Sequence, residues 1–422
     1  MRRKYVAAIV SAFCWLALAA LAHADGLPIA KPEEVGLSSE RLGKITEMLR
    51  ANIAKSEIPG AVLLIARQGK IAYFENLGSL DRQAKTPMPK DAIFRIYSMS
   101  KPITTVAAMI LFEEGKITLD EPIGKYIPAL AKPQVAVNNN VGSSGELQLV
   151  PANRPASIQD LMRHTAGFTY GFFGDTPVKK LYLDAKLFDG DPDNAEFVER
   201  LGKLPLAYQP GTTWDYSHAT DVLGRLVEVV SGKTLYAFEK ERILEPLGMT
   251  DTSFYVSDEG RQGRIAEPFA DDRSFGAGTA FNDPRVARKW ESGGGGMVST
   301  AIDYARFLQM LLDGGALDGK RILGPKTIAY MTADHLGAAV PGPYYLSGAG
   351  YGFGLGFAVR RDAGVSAVVS SPGEYNWGGA GGTAFWVDPA EQMFVVFMMQ
   401  SPRQRVHYRP LLRDMIYAAI VK

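Results

Sequence analysis

The strongest constraint on this chain is where its strand-like segments fall: near both ends, with a long helical, loop-rich stretch between them. From Ser39 to Lys55 the apolar residues Leu42, Ile45, Leu49 and Ile53 recur at helical spacing, and Pro59-Gly60 ends the pattern. The run Ala61 to Ala66, the turn Gln68-Gly69 and the run Ile71 to Phe74 then read as a hairpin. Toward the other end a helical pattern at Ala301 to Leu312 precedes strand signals at Phe353 to Val359, Ala384 to Val387 and Met393 to Met399. Tyr408, Leu411, Leu412, Met415, Ile416 and Ala419 close the chain as one apolar helix face. From about Leu119 to Val286, Pro, Gly and Asn punctuate short helical patterns such as Ala156 to His164 and Ala219 to Ser231. Asn138-Asn139-Asn140 and Gly142 to Gly145 read there as a loop. The simplest architecture is of the α/β (α+β) class. One antiparallel sheet flanked by helices is built from residues 25–118 and 287–422, around an inserted, mainly helical domain at 119–286. A substrate is expected in the cleft between the two.

The 46 Lys plus Arg against 45 Asp plus Glu leave a net charge of +1, which supplies no global field to hold nucleic acid or an anionic membrane. Arg2, Arg3 and Lys4, the apolar run from Tyr5 to about Leu21, and Ala22-His23-Ala24 read as a secretory leader over residues 1–24, cleaved near Ala24. The run is almost long enough for an uncleaved anchor, and either reading places the folded part outside the cytoplasm, secreted or periplasmic. Beyond this segment no membrane partner is expected. Cys14 is the only cysteine and lies within the leader, so the mature chain is expected to have no disulfides, thiol nucleophile or thiolate metal site.

Candidate chemistry begins at Ser98-Met99-Ser100-Lys101. Pro102 and the apolar positions Val106, Met109, Ile110 and Phe112 place it at the start of a helix. Residues three apart share a helix face, so the Lys101 amine can approach the Ser98 hydroxyl, and unpaired first-turn amides favour a developing oxyanion. A serine is a weak nucleophile until a base takes its proton, and a desolvated lysine is one such base. Among the lysines, only Lys101 has a serine three positions earlier. That spacing alone also fits a serine near a helix cap. No Gly-x-Ser-x-Gly elbow and no His-Glu-x-x-His is present, and the histidines after the leader are His164, His218, His335 and His407. No metal or organic cofactor is implied.

Five blocks occur in order: Phe94 to Pro102, Leu161 to Phe168, Trp214-Asp215-Tyr216-Ser217-His218, Ser292 to Leu312, and Trp377 to Thr383. With them the chain resembles the family VIII carboxylesterases, the esterase branch related to class C beta-lactamases and D,D-peptidases. The resemblance covers essentially the whole mature chain and implies a beta-lactamase/D,D-peptidase-like fold. It makes Ser98 the nucleophile, Lys101 its partner and Tyr216 the tyrosine whose phenolate serves as base. A free tyrosine loses its proton only near pH ~10, so a nearby positive charge is needed, and whether Lys101 or Tyr216 takes the proton belongs to a coupled pair. His218 stands where the lactamase pattern has Asn. It is either a substrate hydrogen-bond donor or a solvent-facing residue at the start of the following helix.

The resemblance also implies that the amides of Ser98 and Ala380 form the oxyanion hole. Gly378 and Gly379 beside Ala380 allow close backbone approach. Trp377 replaces the lysine of the lactamase Lys-Thr-Gly motif, and an indole offers an apolar wall in place of a partner for a carboxylate. The expected substrate is therefore an uncharged small-molecule ester with a short acyl chain, with beta-lactam or D-amino-acid amide cleavage as the alternative at the same site. A non-catalytic homologue is a third reading, opposed by the presence of Ser98, Lys101 and Tyr216. His164 to Gly167 and Gly293 to Gly296 read as structural turns in which glycine supplies positive φ. Cleft shape is expected to depend on loops such as Asn138 to Pro151 and Phe172 to Asp191.

Overall fold

The computed structural model describes residues 26–141, 147–272, 274, 283–340 and 346–422. The expected leader and the Gly142 to Gly145 stretch lie outside the described residues. Helix α1 (Ser39–Ala54) starts at Ser38, whose hydroxyl accepts from the Arg41 amide, and it buries Leu42, Ile45 and Leu49 as the spacing requires. The hairpin follows as β1 (Gly60–Arg67) and β2 (Lys70–Asp81). A short β3 (Thr86–Pro87) extends it.

The far end of the chain supplies β4 (Tyr351–Phe353), β5 (Ala358–Arg360), β6 (Tyr375–Gly378), β7 (Ala384–Asp388) and β8 (Met393–Met399). Among the described residues these make one eight-stranded antiparallel sheet, in the order β4-β5-β6-β7-β8-β1-β2-β3. The two ends of the chain meet where β1 pairs with β8, from Ala61 opposite Met399 to Arg67 opposite Met393. Every residue of both strands is buried, which is why they read as continuous apolar runs and not as alternating ones.

Side chains of alternate residues supply two cores. Leu63, Ile65, Trp386 and Phe397 pack with α1 and with the C-terminal helix Arg405–Tyr417 through Tyr408, Leu412 and Ile416. Val62, Leu64, Phe385 and Val396 pack on the other face, with the helices Ser100–Glu113 and Ala301–Leu312. Residues 119–286 add no strand to this sheet among the described residues. Helix Ala219–Ser231 packs on Ser100–Glu113 and is itself covered by Ile158–Met162 and Asn194–Leu201.

Two sequence expectations need correction. Phe353 to Val359 is not one strand but the end of β4, a turn and the start of β5, because Gly356 adopts φ 88° with its α-carbon against Thr105. Asn138 to Asn140 is not loop but part of a strand, Gln134–Val141, paired with Leu147–Pro151. The strand signal is weak because Asn138 to Asn140 interrupt the apolar run Val135 to Val137, and in the partner strand Leu149 and Val150 are exposed. The C-terminal helix does present the expected apolar face, with Tyr408, Leu412, Met415, Ile416 and Ala419 in one core, and beside it buried Arg413 is neutralised by Glu374 at 2.8 Å.

Candidate active site

Strand Phe94–Arg95 pairs with Val298–Ser299, and the chain then turns through Tyr97–Met99 into the helix that begins at Ser100. Ser98 therefore lies in the turn just ahead of the helix. Tyr97 is held at φ 45°, a conformation that costs on the order of 1–3 kcal/mol for a non-glycine residue. The surroundings enforce it: Ser100 Oγ donates to Tyr97 O at 2.7 Å and accepts from the Met297 amide at 3.1 Å, while the Tyr304 hydroxyl donates to Met99 O at 2.9 Å.

One turn on, Lys101 is buried. Its Nζ donates to Gly294 O at 2.5 Å, to the Tyr170 hydroxyl at 3.2 Å and to Ser98 Oγ at 3.4 Å. It lies 4.5 Å from the centre of the Tyr216 ring, and no carboxylate among the described residues is in ion-pairing distance of it. A buried cation favours negative charge on its neighbours.

Tyr216 is buried between Lys101 and Trp377, and the Trp377 indole donates to its hydroxyl at 3.1 Å. Trp377 is thus more than the apolar wall expected of it: its indole is a hydrogen-bond donor aimed at the Tyr216 Oη. Under the Tyr216 ring, 4.8 Å centre to centre, lies His164. Burial and then the charge of Lys101 hold this imidazole well below its usual range, so it is neutral. His164 itself has φ 56°, where a glycine was expected to carry the turn; Gly167 follows at φ 89°.

His218 is not solvent-facing. It is buried, its Nδ1 lies 3.0 Å from Asp221 Oδ2, and it lines the cavity in front of Ser98. Asp221 also accepts from Ser292 Oγ at 2.6 Å and from the Gly294 amide at 3.0 Å. Burial pushes its carboxyl up, but the His218 and Ser292 hydrogen bonds and nearby positive charge outweigh this and keep it ionised. Gly293 to Gly296 are not positive-φ turns. A Cβ on Gly294 would sit 2.9 Å from the Asp221 carboxylate, so the glycine is required by that close approach, and its carbonyl is the shortest contact of Lys101.

On β6 and the turn after it, Gly378 and Gly379 do allow close approach, but of this chain's own groups. A Cβ on Gly378 would meet the Arg409 guanidinium at 2.4 Å, and one on Gly379 would meet Ile96 O at 2.3 Å. Neither the Ser98 nor the Ala380 amide has a hydrogen-bond partner among the described residues, as free oxyanion donors require. Ser98, Tyr216, His218 and Trp377 to Ala380 all line one cavity of about 820 Å³. Tyr170, Phe172, Phe173, Phe188 and Trp290 form its aromatic wall. The Phe172 to Asp191 segment thus shapes the cleft, while the 134–151 hairpin contributes no lining residue among the described residues. Among the described residues no cluster of His, Cys, Asp or Glu could hold a metal ion.

Several site groups gave no signal in the sequence. Tyr170 and Arg409 are single residues without a spacing to mark them, Asp221 reads as an ordinary helix residue, and the Gly294 contribution is a backbone carbonyl.

Residues 45–416 match the family model for beta-lactamase. Esterase EstB of Burkholderia gladioli is 31% identical over 394 residues, 87% of this chain and 92% of that protein. The lovastatin esterase of Penicillium rubens is 29% identical over 382 residues, 83% and 91% of the two chains. The solved structure of EstCE1, described as a hydrolase with promiscuous acyltransferase activity, superposes with a TM-score of 0.74 at 28% identity, covering 90% of this chain and 99% of that one. The antiparallel sheet with its flanking helices is accordingly a beta-lactamase-type fold, and esters or related compounds are its substrates. The chain belongs to the beta-lactamase family, as a serine hydrolase of the family VIII carboxylesterase type.

Proposed function

We propose that the protein hydrolyses carboxylic esters through an acyl-enzyme on Ser98. The observation that carries this reading is Lys101 Nζ, which reaches Ser98 Oγ while lying over the face of Tyr216. The Ser98 proton passes to the Lys101–Tyr216 pair as Oγ adds to the ester carbonyl. The oxyanion is met by the Ser98 and Ala380 amides. Collapse breaks the carbonyl–alkoxy bond, and the alcohol leaves with the proton held by the pair. A water then gives up a proton to the same pair and adds to the acyl carbon; collapse breaks the acyl–Oγ bond, the acid leaves, and the pair returns the proton to Ser98 Oγ. Trp377 fixes the Tyr216 hydroxyl through its indole hydrogen bond, and His218, fixed by Asp221, presents its other ring nitrogen to bound substrate.

The preferred substrate in this reading pairs a short acyl group with a bulky apolar alcohol. A cavity of about 820 Å³ walled by Phe172, Phe173, Phe188 and Trp290 supports it, as do the esterase relatives. We place the mature protein, from Asp25, in the periplasm or outside the cell. N-terminal sequencing of the exported form checks that assignment.

One observation favours a second reading, cleavage of lactams or D-amino-acid amides bearing a carboxylate: Arg405 and Arg409 line the same cavity. The two are separated by kcat/KM for short-acyl nitrophenyl esters relative to a chromogenic cephalosporin. A ratio well above one is the expected result, and a ratio below one overturns the ester assignment.

A further inference from the structure

Arg409 projects from the C-terminal helix onto the strand that carries Trp377, and its position is unusual for a cation. Its Nη2 donates to Gly379 O at 2.7 Å and to Thr383 O at 3.3 Å. No carboxylate pairs with it among the described residues, and its Nε is buried without a hydrogen-bond partner. Desolvation pulls the guanidinium down to about 10, which leaves it charged at neutral pH. A half-buried cation without a counter-charge is still costly, so two carbonyls and a cavity wall are meagre compensation if its role is only to hold the fold.

The bond to Gly379 O has a geometric consequence. Gly379 C=O and Ala380 N–H belong to one planar trans peptide, so the two groups point in opposite directions. A guanidinium fixed on the carbonyl therefore turns the Ala380 N–H away from the helix and toward the cavity that Ala380 lines. Drawing electron density onto the carbonyl also makes the same peptide's N–H a stronger donor. The Gly382 amide, 3.2 Å from Gly379 O, closes the turn but is neutral. Gly378 completes the arrangement, because any Cβ there would displace the guanidinium.

We infer that Arg409 is a positioning residue for the reaction, which orients and polarises the Gly379–Ala380 peptide so that the Ala380 amide meets the oxyanion. This rests on the assignment of Ser98 and Ala380 above. The residue touches no reacting atom; it acts through one peptide unit. Its effect is felt where negative charge develops, in the tetrahedral states, and not in binding an uncharged ester.

The test compares Arg409→Ala and Arg409→Lys with the wild-type enzyme on an uncharged nitrophenyl ester. Labelling of wild-type Ser98 by a fluorophosphonate comes first, since an unlabelled wild-type serine would remove the underlying mechanism and not this inference alone. Given labelling, Arg409→Ala is expected to lose about ten- to a hundredfold in kcat, less than deletion of a whole oxyanion donor, with KM within about twofold. Arg409→Lys, which keeps a charge beside Gly379 O, recovers part of the loss. Added guanidinium chloride at millimolar concentration restores Arg409→Ala saturably. Circular dichroism and thermal melting confirm that each variant is folded. Full kcat in a folded Arg409→Ala, or a loss seen only as raised KM for carboxylate-bearing substrates, overturns the inference. A kcat loss that neither lysine nor guanidinium relieves overturns it as well.

Discussion

Trp377 stands where the lactamase pattern has a lysine, and its indole makes a hydrogen bond to the Tyr216 hydroxyl where the lysine would meet a substrate carboxylate. A hydrogen bond is worth roughly 0.5–1.5 kcal/mol, so Trp377→Phe, which keeps an apolar ring, is expected to lower kcat by about two- to tenfold. Steady-state kinetics on a nitrophenyl ester check this, with unchanged KM separating loss of the donor from loss of the wall. Ser98 and Lys101 were legible as a spacing. Tyr216, Trp377 and Ala380 were legible through the order of the blocks around them. The ligands of Lys101 were not, since the Gly294 carbonyl and the Tyr170 hydroxyl come from segments about 193 and 69 residues away and neither residue type marks its role. His218 was ambiguous for a related reason: only folding shows that Asp221, three residues on, turns to meet it.

Among the elements, the short helix Ile158–Met162 and the turn after it support the site from behind. Asp160 caps that helix through Ser157, accepts from Thr165 Oγ1 at 2.8 Å and pairs with Arg154 and Arg163, so it fixes the turn that carries His164. Burial raises its carboxyl, but the Arg154, Ser157, Arg163 and Thr165 hydrogen bonds win and bring it to about 2. A carboxyl lowered from its unfolded value of 3.8 stabilises the fold above that pH and loses this contribution as pH falls toward 2. The shift corresponds to about 2 kcal/mol. Asp160→Asn is expected to lower the melting temperature at pH 7 and to flatten its fall between pH 4 and 2, measured by thermal melts. The glycine block is a second element-scale case. In Gly294→Ala the new methyl meets the Asp221 carboxylate at 2.9 Å, so the block must shift and draw its carbonyl off Lys101. A loss of kcat of at least tenfold in a folded protein is the expected outcome, on the order of one charge-assisted hydrogen bond. The strands of the main sheet were readable because both their faces are covered. The 134–151 hairpin was not, because its central asparagines and glycines read as a loop and its apolar Leu149 and Val150 face solvent.

At the scale of the molecule, the two ends of the chain meet as β1 and β8, and the cavity opens where that sheet faces the helices of residues 119–286. The pattern of strand signals made this closure legible, but a cavity's volume and wall come from side chains brought together across the whole chain. With a fixed short acyl group, kcat/KM is expected to rise by about tenfold or more from an ethyl ester to an ester of a bulky aromatic alcohol, as burial on the aromatic wall adds roughly 25 cal/mol per Å². A series of such esters measures it. The most direct test of the mechanism is intact-mass spectrometry during turnover of an activated ester, followed by peptide mapping. The account predicts a transient mass increase equal to the acyl group, located on Ser98 and abolished in Ser98→Ala together with activity. An acyl adduct on another residue, or a Ser98→Ala enzyme that keeps wild-type turnover, would contradict it.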